Sequence, residues 1–177
     1  MEIKIMSFKI DDFIASLQKG GMRTSLFKVT MAPPAGVSVG EDLTFKCKAT
    51  SIPGSELGVI EMPFMGRTAK IAGDRKFGEW TISVIAEQGN LTHRMLNDWL
   101  DLIQDAEGNL SSVQTPQNYM VTATVQTYGT DGKEDQTYEM RGCFPSNVGE
   151  IALAWENQDQ VGEFDATFQM QYFVRVK

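Results

Sequence analysis

Phe164-Asp165-Ala166-Thr167-Phe168-Gln169-Met170-Gln171-Tyr172-Phe173-Val174-Arg175-Val176-Lys177 sets the architecture of this chain. Phe164, Ala166, Phe168, Met170, Tyr172, Val174 and Val176 fall on one face of an extended backbone. Asp165, Thr167, Gln169, Gln171, Phe173, Arg175 and Lys177 fall on the other. A period of two over this length is the pattern of a strand with one face on a core. The other face is polar and rich in Thr and Gln.

The same pattern recurs upstream. Tyr119–Tyr128 (YMVTATVQTY) and Gln136–Phe144 (QTYEMRGCF) read as paired strands, joined through the turn residues Gly129-Thr130-Asp131-Gly132. Shorter strands are expected at Leu26–Met31, Leu43–Ala49, Trp80–Ala86 and Ile151–Trp155, where β-branched and aromatic residues concentrate. Phe144-Pro145-Ser146-Asn147-Val148-Gly149 reads as a shaped turn between strands. One helix is predicted over residues 91–104. Met95, Leu96, Trp99, Leu100 and Ile103 form a single apolar stripe, Asn90 or Thr92 is a candidate cap, and Arg94 and Asp98 fall on the solvated side. A weaker helix is expected over Asp11–Lys19, stopped by Gly20-Gly21. Ala32–Gly40 reads as a Pro- and Gly-rich loop. Residues 50–75 read as a longer loop that carries Ile52, Leu57, Ile60, Met62, Phe64 and Met65 beside Pro53 and Pro63. So many large apolar groups on a long connection need a cover, either their own domain or a partner. The expectation is one domain over residues 1–177, mainly β, with one clear helix.

Composition narrows the function. With 42% apolar and 22% charged residues the chain is an ordinary globular one. No apolar run approaches the roughly 18 residues of a membrane span. The opening residues lack the pattern of a secretory signal, so a cytoplasmic site of synthesis is expected. A net charge of −7 argues against a nucleic-acid binder, because phosphate affinity requires Lys and Arg. Cys47 and Cys143 read as two small buried or half-buried thiols. His93, the one histidine, has no second His or Cys pair near it in sequence, so no metal site is expected.

No nucleophile elbow, zinc-binding helix, phosphate loop or dinucleotide fingerprint is present. Glu56 with Glu61, or Asp74 with Glu79, could be imagined as a catalytic carboxylate pair, but nothing distinguishes them from solvated surface acids. No catalytic residue and no cofactor is expected. A sugar-binding β-sandwich is a second reading, with Trp80, Trp99 and Trp155 as stacking platforms. All three lie on apolar faces, where core packing is the better use.

An ordered set of motifs points elsewhere. Phe45–Thr50 reads FKCKAT, followed by Phe64-Met65-Gly66-Arg67, Ala72–Phe77 (AGDRKF) and Trp80–Val84 (WTISV). Arg141–Ile151 (RGCFPSNVGEI) and Trp155 come later. Asp11-Asp12-Phe13 and Leu26-Phe27-Lys28-Val29 stand at the front. Over roughly residues 8–173 this series resembles the tail tube proteins of contractile-tailed bacteriophages, which are related to the Hcp-like tube proteins of type VI secretion. The resemblance implies the tail-tube (Hcp-like) fold, a small β-barrel or sandwich with one flanking α-helix, and a structural subunit whose hexameric rings stack into a hollow tube inside a sheath. The tube would end at baseplate and tube-terminator proteins and conduct DNA without binding it specifically. It implies a place in the virion after assembly in the host cytoplasm. A tube or tube-initiator subunit of a phage-derived injection machine is the neighbouring alternative.

The resemblance also implies that the long loop meets neighbouring subunits, with Pro53, Ile60, Met62, Phe64, Met65, Arg67, Asp74 and Arg75 as interface candidates. Gly73-Asp74-Arg75 is expected to be a turn at the loop's base, with Asp74 accepting backbone N–H groups and Arg75 forked onto a carboxylate. An intramolecular brace and an interface contact are both open for it. In a ring the polar strand faces would line a wet channel, so Thr122, Thr124, Gln126, Thr167, Gln169 and Gln171 are the lumen candidates. Six copies at −7 would carry −42 per ring, a repulsion that apolar and strand contacts must exceed.

Overall fold

The structure is a computed structural model that describes residues 10–16, 20–37, 46–111, 115–156, 158 and 160–177. Its elements in chain order are α1 (Ile10–Ser16), β1 (Phe27–Met31), β2 (Cys47–Thr50), β3 (Ser55–Phe64), β4 (Arg67–Phe77) and β5 (Trp80–Ile85). Then come α2 (Leu91–Ile103), β6 (Val121–Tyr128), β7 (Glu134–Val148), β8 (Glu163–Gln169) and β9 (Tyr172–Arg175). Residues 17–19 of the first expected helix and residues 43–45 of the second expected strand lie outside the described residues.

The alternation quoted above holds as far as Met170 and then changes phase. Phe164, Ala166, Phe168 and Met170 are buried, but Tyr172 is exposed and Phe173 packs on the core, so the far end of the stretch does not share one face. β8 and β9 both run antiparallel along β7, with Phe144 opposite Gln169 and Arg141 opposite Tyr172. β7 changes phase at the same place: Met140 faces in, then Cys143 and Pro145. Between them Gly142 has φ +67°, and a Cβ there would stand 2.6 Å from Gln171 Cγ. One extra residue on each strand lets the sheet bend there without losing register. Only glycine supplies both the left-handed backbone and the space.

The sheet order is β1-β6-β7-β8-β5-β2, with β9 also on β7. The mainly β fold with a flanking helix is as expected, but among the described residues the sheet ends in β1 and β2 and does not close, so in place of a closed barrel it is a bent open sheet. β7 also runs straight through the expected turn at residues 144–149, with a bulge between Pro145 and Asn147. The hairpin turn at 129–132 forms as expected, with Gly132 N–H donating to the Gly129 carbonyl at 3.0 Å.

The core lies on the inner face of the bent sheet, where α2 also packs. Met95, Leu96 and Trp99 of α2 are buried with Trp80, Ile82, Val84 and Phe168 of the sheet. The Phe168 ring lies 5.6 Å from Trp80 and 6.1 Å from Trp99. Each indole has its polar edge satisfied. Trp99 Nε1–H donates to the Tyr119 carbonyl at 2.9 Å, and Trp80 Nε1–H donates to Thr50 Oγ1 at 2.9 Å. Trp155 does not join them. Ile151–Trp155 forms no strand, and Trp155 is fully exposed. Its alternation suits a strand, but no neighbouring edge pairs with it, and the chain turns at Trp155-Glu156.

Neither expected cap closes α2 in the expected way. Asn90 sits at the N-cap in a left-handed conformation and makes no side-chain cap bond. The Glu87 carboxylate accepts from both the N–H and the hydroxyl of Thr92, each at 3.0 Å, and is itself paired with Lys46. The Lys46 hydrogen bond, first, and those from Thr92 hold the Glu87 carboxyl below its ordinary value of 4.5. A depressed folded-state pKa contributes stability that is present above the unfolded value and lost as pH falls through the folded one. Glu87→Gln is therefore expected to cost about 1–2 kcal/mol near neutrality. Urea unfolding of both proteins should show that difference fade as pH drops below 4.5. A difference unchanged into acid would rule out the charged cap.

Candidate subunit interface

The stretch read as a loop over residues 50–75 is mostly a two-stranded hairpin, β3–β4. Its turn is Met65-Gly66, with φ of 44° and 80°, so Phe64 and Arg67 close it as a pair. Positive φ at both central residues matches the twist of a two-residue hairpin. Met65 adopts it without glycine's freedom and is 91% exposed. From Val59 through Ala72 every residue is exposed, so the hairpin stands off the sheet as an arm.

The register sorts the arm's side chains. Ile60 faces Ile71, Met62 faces Ala69 and Phe64 faces Arg67, so one face carries a continuous apolar stripe ending in a guanidinium. The opposite face holds Val59 with Ala72, Glu61 with Lys70 at 3.4 Å, and Pro63 with Thr68. Of the expected interface residues, Ile60, Met62 and Phe64 thus share a face with Arg67, and Met65 stands at the tip. Ile71 and Ala69 complete the stripe and were missed, because a loop reading assigns no cross-strand partners.

The expected base of the loop is built differently. Gly73-Asp74-Arg75 is not a turn but part of β4. It lies at a bulge where Leu57 pairs with Arg75 and Val59 with Ala72. A Cβ on Gly73 would come within 3.1 Å of the Gly58 backbone, so a side chain there would press the two strands slightly apart. Arg75 makes no carboxylate fork. Its guanidinium donates to Ser55 Oγ at 2.7 Å and lies over the Phe77 and Phe173 rings at 5.2 and 5.9 Å. Those rings meet edge to face at 5.5 Å. Arg75 is therefore an intramolecular brace that ties the arm to β9. Asp74 is exposed on the strand, away from any turn. Pro53 is buried within its own chain, beside Ser51, whose carbonyl accepts from the Trp80 indole, so it offers no surface to a partner.

A second apolar patch was also missed. Leu153, Trp155 and Val161 are exposed on the connection between β7 and β8. The lumen candidates form two strips. Thr122, Thr124 and Gln126 lie on the solvent face of β6, beside Glu134–Cys143 of β7. Thr167 and Gln169 lie on β8, beside Phe144–Val148, and Gln171 covers Gly142 at the bend between the strips. His93 is a packing residue, its ring 5.0 Å from Phe164 and its Nε2 3.2 Å from the Gly149 carbonyl oxygen. Burial pushes the Cys47 and Cys143 thiols up to about 11. Among the described residues no group of three or more His, Cys, Asp or Glu could hold a metal ion.

A family profile described as "Phage tail tube protein" matches residues 22–176. The tail tube protein gp19 of Enterobacteria phage T4 is 31% identical over 166 residues, covering 93% of this chain and 98% of that one. Among solved structures, the chain is similar to one in the sheath–tube complex of an extracellular contractile injection system, PVC, in its extended state. The TM-score is 0.65 at 15% identity, over 96% of this chain and 98% of the other. A crystal structure of Hcp protein gives a TM-score of 0.50 at 11% identity, over 85% and 91%.

Proposed function

The chain belongs to the phage tail tube protein family and is a structural subunit of a contractile tail, and from that premise we propose how it builds a tube. Six copies close into a ring, and rings stack into a hollow conduit inside the sheath, between a baseplate and a terminating cap. The observation that carries this reading is the β3–β4 arm. Its face of Ile60, Ile71, Met62 and Phe64 is exposed in the single chain, and only another molecule can remove that area from water. Among the described residues the sheet ends in β1 and β2, and a sheet border is where a neighbouring copy can add a strand.

The polar strips of β6 and β8 then face water in the channel. The acidic balance of the ring lets DNA pass without adhering, since at −7 per copy acids outnumber the Lys and Arg that phosphate affinity requires. The subunit is made in the host cytoplasm, works in the virion, catalyses nothing and does not enter the membrane. The sugar-binding alternative loses its platforms, because Trp80 and Trp99 are buried and only Trp155 is exposed.

Purified protein, concentrated or seeded with its baseplate, is expected to form hollow tubes with six-fold cross-section in electron micrographs. A particle that stays monomeric under both conditions would overturn the reading.

A further inference from the structure

Two of the apolar surfaces exposed among the described residues, on the arm and on the β7–β8 connection, sit at opposite ends of the same pair of strands. The arm leaves the sheet at Phe77, next to Trp80, which pairs with Phe168. At the other end Ile85 pairs with Glu163, and Ala86 N–H donates to the Gly162 carbonyl at 2.8 Å. The connection bearing Leu153, Trp155 and Val161 returns there. The six residues of β5 separate these ends by roughly 20 Å, and the arm points off the sheet, so a chain does not cover its own patch.

Charge sorts the same way. Arg67, Lys70, Arg75 and Lys76 place four of the chain's sixteen basic residues within ten positions of β4, against one acid, Asp74. From Gly142 to Val174 there is no Lys or Arg at all, while Glu150, Glu156, Asp159, Glu163 and Asp165 are acidic. On a chain of net charge −7, residues 67–76 of β4 carry four bases against one acid, and the Leu153–Val161 connection lies in a base-free, acidic stretch.

We infer that these two patches are each other's partner: the arm of one copy, through Met62, Phe64 and Met65, docks on Leu153, Trp155 and Val161 of the next. The contact is heterologous, one patch meeting a different patch. Such contacts repeat head to tail into rings or stacks instead of stopping at a dimer. Apolar area supplies the attraction, and the basic strand beside an acidic connection fixes which copy presents which end. The inference rests on the tube reading, and its test separates the two.

Trp80 and Trp99 are already buried, so Trp155 dominates any change in tryptophan emission on assembly. Wild-type tubes should emit further to the blue than the monomer, and Trp155→Phe should abolish the shift. Met65→Cys and Trp155→Cys proteins, mixed in equal amounts and oxidised as tubes, should give a cross-linked dimer that neither gives alone. The native thiols, pushed up to about 11, compete poorly. If Trp155→Cys does not assemble, Val161→Cys takes its place. Tubes with unchanged emission, or tubes in which Met65→Cys joins neither partner, would overturn this docking while leaving the tube reading intact. Failure of the wild-type chain to form tubes would overturn both.

Discussion

Met62→Asp combined with Phe64→Asp yields a folded, soluble monomer that forms no tubes. Both side chains lie on the apolar face of the arm, with Phe64 67% exposed in the single chain, so the fold gains little from them. Exposed substitutions away from caps and cores change stability by about 0.5 kcal/mol or less. The assembled state depends on them. Burying a Met or Phe side chain is worth about 1.5–3 kcal/mol, and a carboxylate left in its place must be desolvated or excluded. Two such changes remove at least ~4 kcal/mol per contact, roughly a thousandfold in affinity. A tube repeats the loss at every subunit. Thermal unfolding of the dilute variant should match wild type, while size-exclusion chromatography and electron microscopy of concentrated samples show only monomer. Wild-type tube yield from this variant would remove the arm from the interface.

The arm also shows where sequence reading fell short, and for what reason. Strands such as β6 and β8 were legible because one face meets the core, so burial imposes the period of two along the chain. The arm has no core beneath it. Its apolar residues answer to a partner, the Gly58–Gly73 bulge interrupts the alternation, and Met65-Gly66 lacks the Asn or Asp that marks a tight hairpin. The bend at Gly142 was hidden for a related reason. The quoted C-terminal stretch continues to alternate past Met170, but its inward phase is set by β7, about thirty residues away, through a glycine that only pairing reveals as a corner. Trp155 failed in the opposite sense. Its parity suits a core position, yet burial also needs a neighbouring strand, which a single sequence does not specify. The function was legible only through the ordered motifs of a resembling family. Composition and charge narrowed it no further than a non-catalytic β protein.

Phe168→Ala gives the complementary result, with a large loss of stability in the monomer and no loss of docking between folded copies. Phe168 is fully buried, between two indoles at 5.6 and 6.1 Å, and its strand pairs on one side with Trp80 and on the other with Pro145. Trp80 and Trp99 cannot collapse into the vacated space easily, because each is tethered by an indole hydrogen bond to the backbone or side chain of another segment. The cavity term therefore adds to the lost transfer energy, and a cost of about 3–5 kcal/mol is expected. For a domain of this size each kcal/mol lowers Tm by about 2–4 °C, so the dilute protein should melt roughly 6–20 °C earlier. The arm and the Leu153–Val161 connection are untouched by the change. Any variant that still folds can dock, and docking stabilises the folded state by mass action. Calorimetry should accordingly find wild type and variant both raised by assembly, with the same gap in unfolding free energy as tubes as between the monomers. A monomer Tm within 2 °C of wild type would show that the space between the two indoles refills, and that this aromatic cluster does not carry the fold.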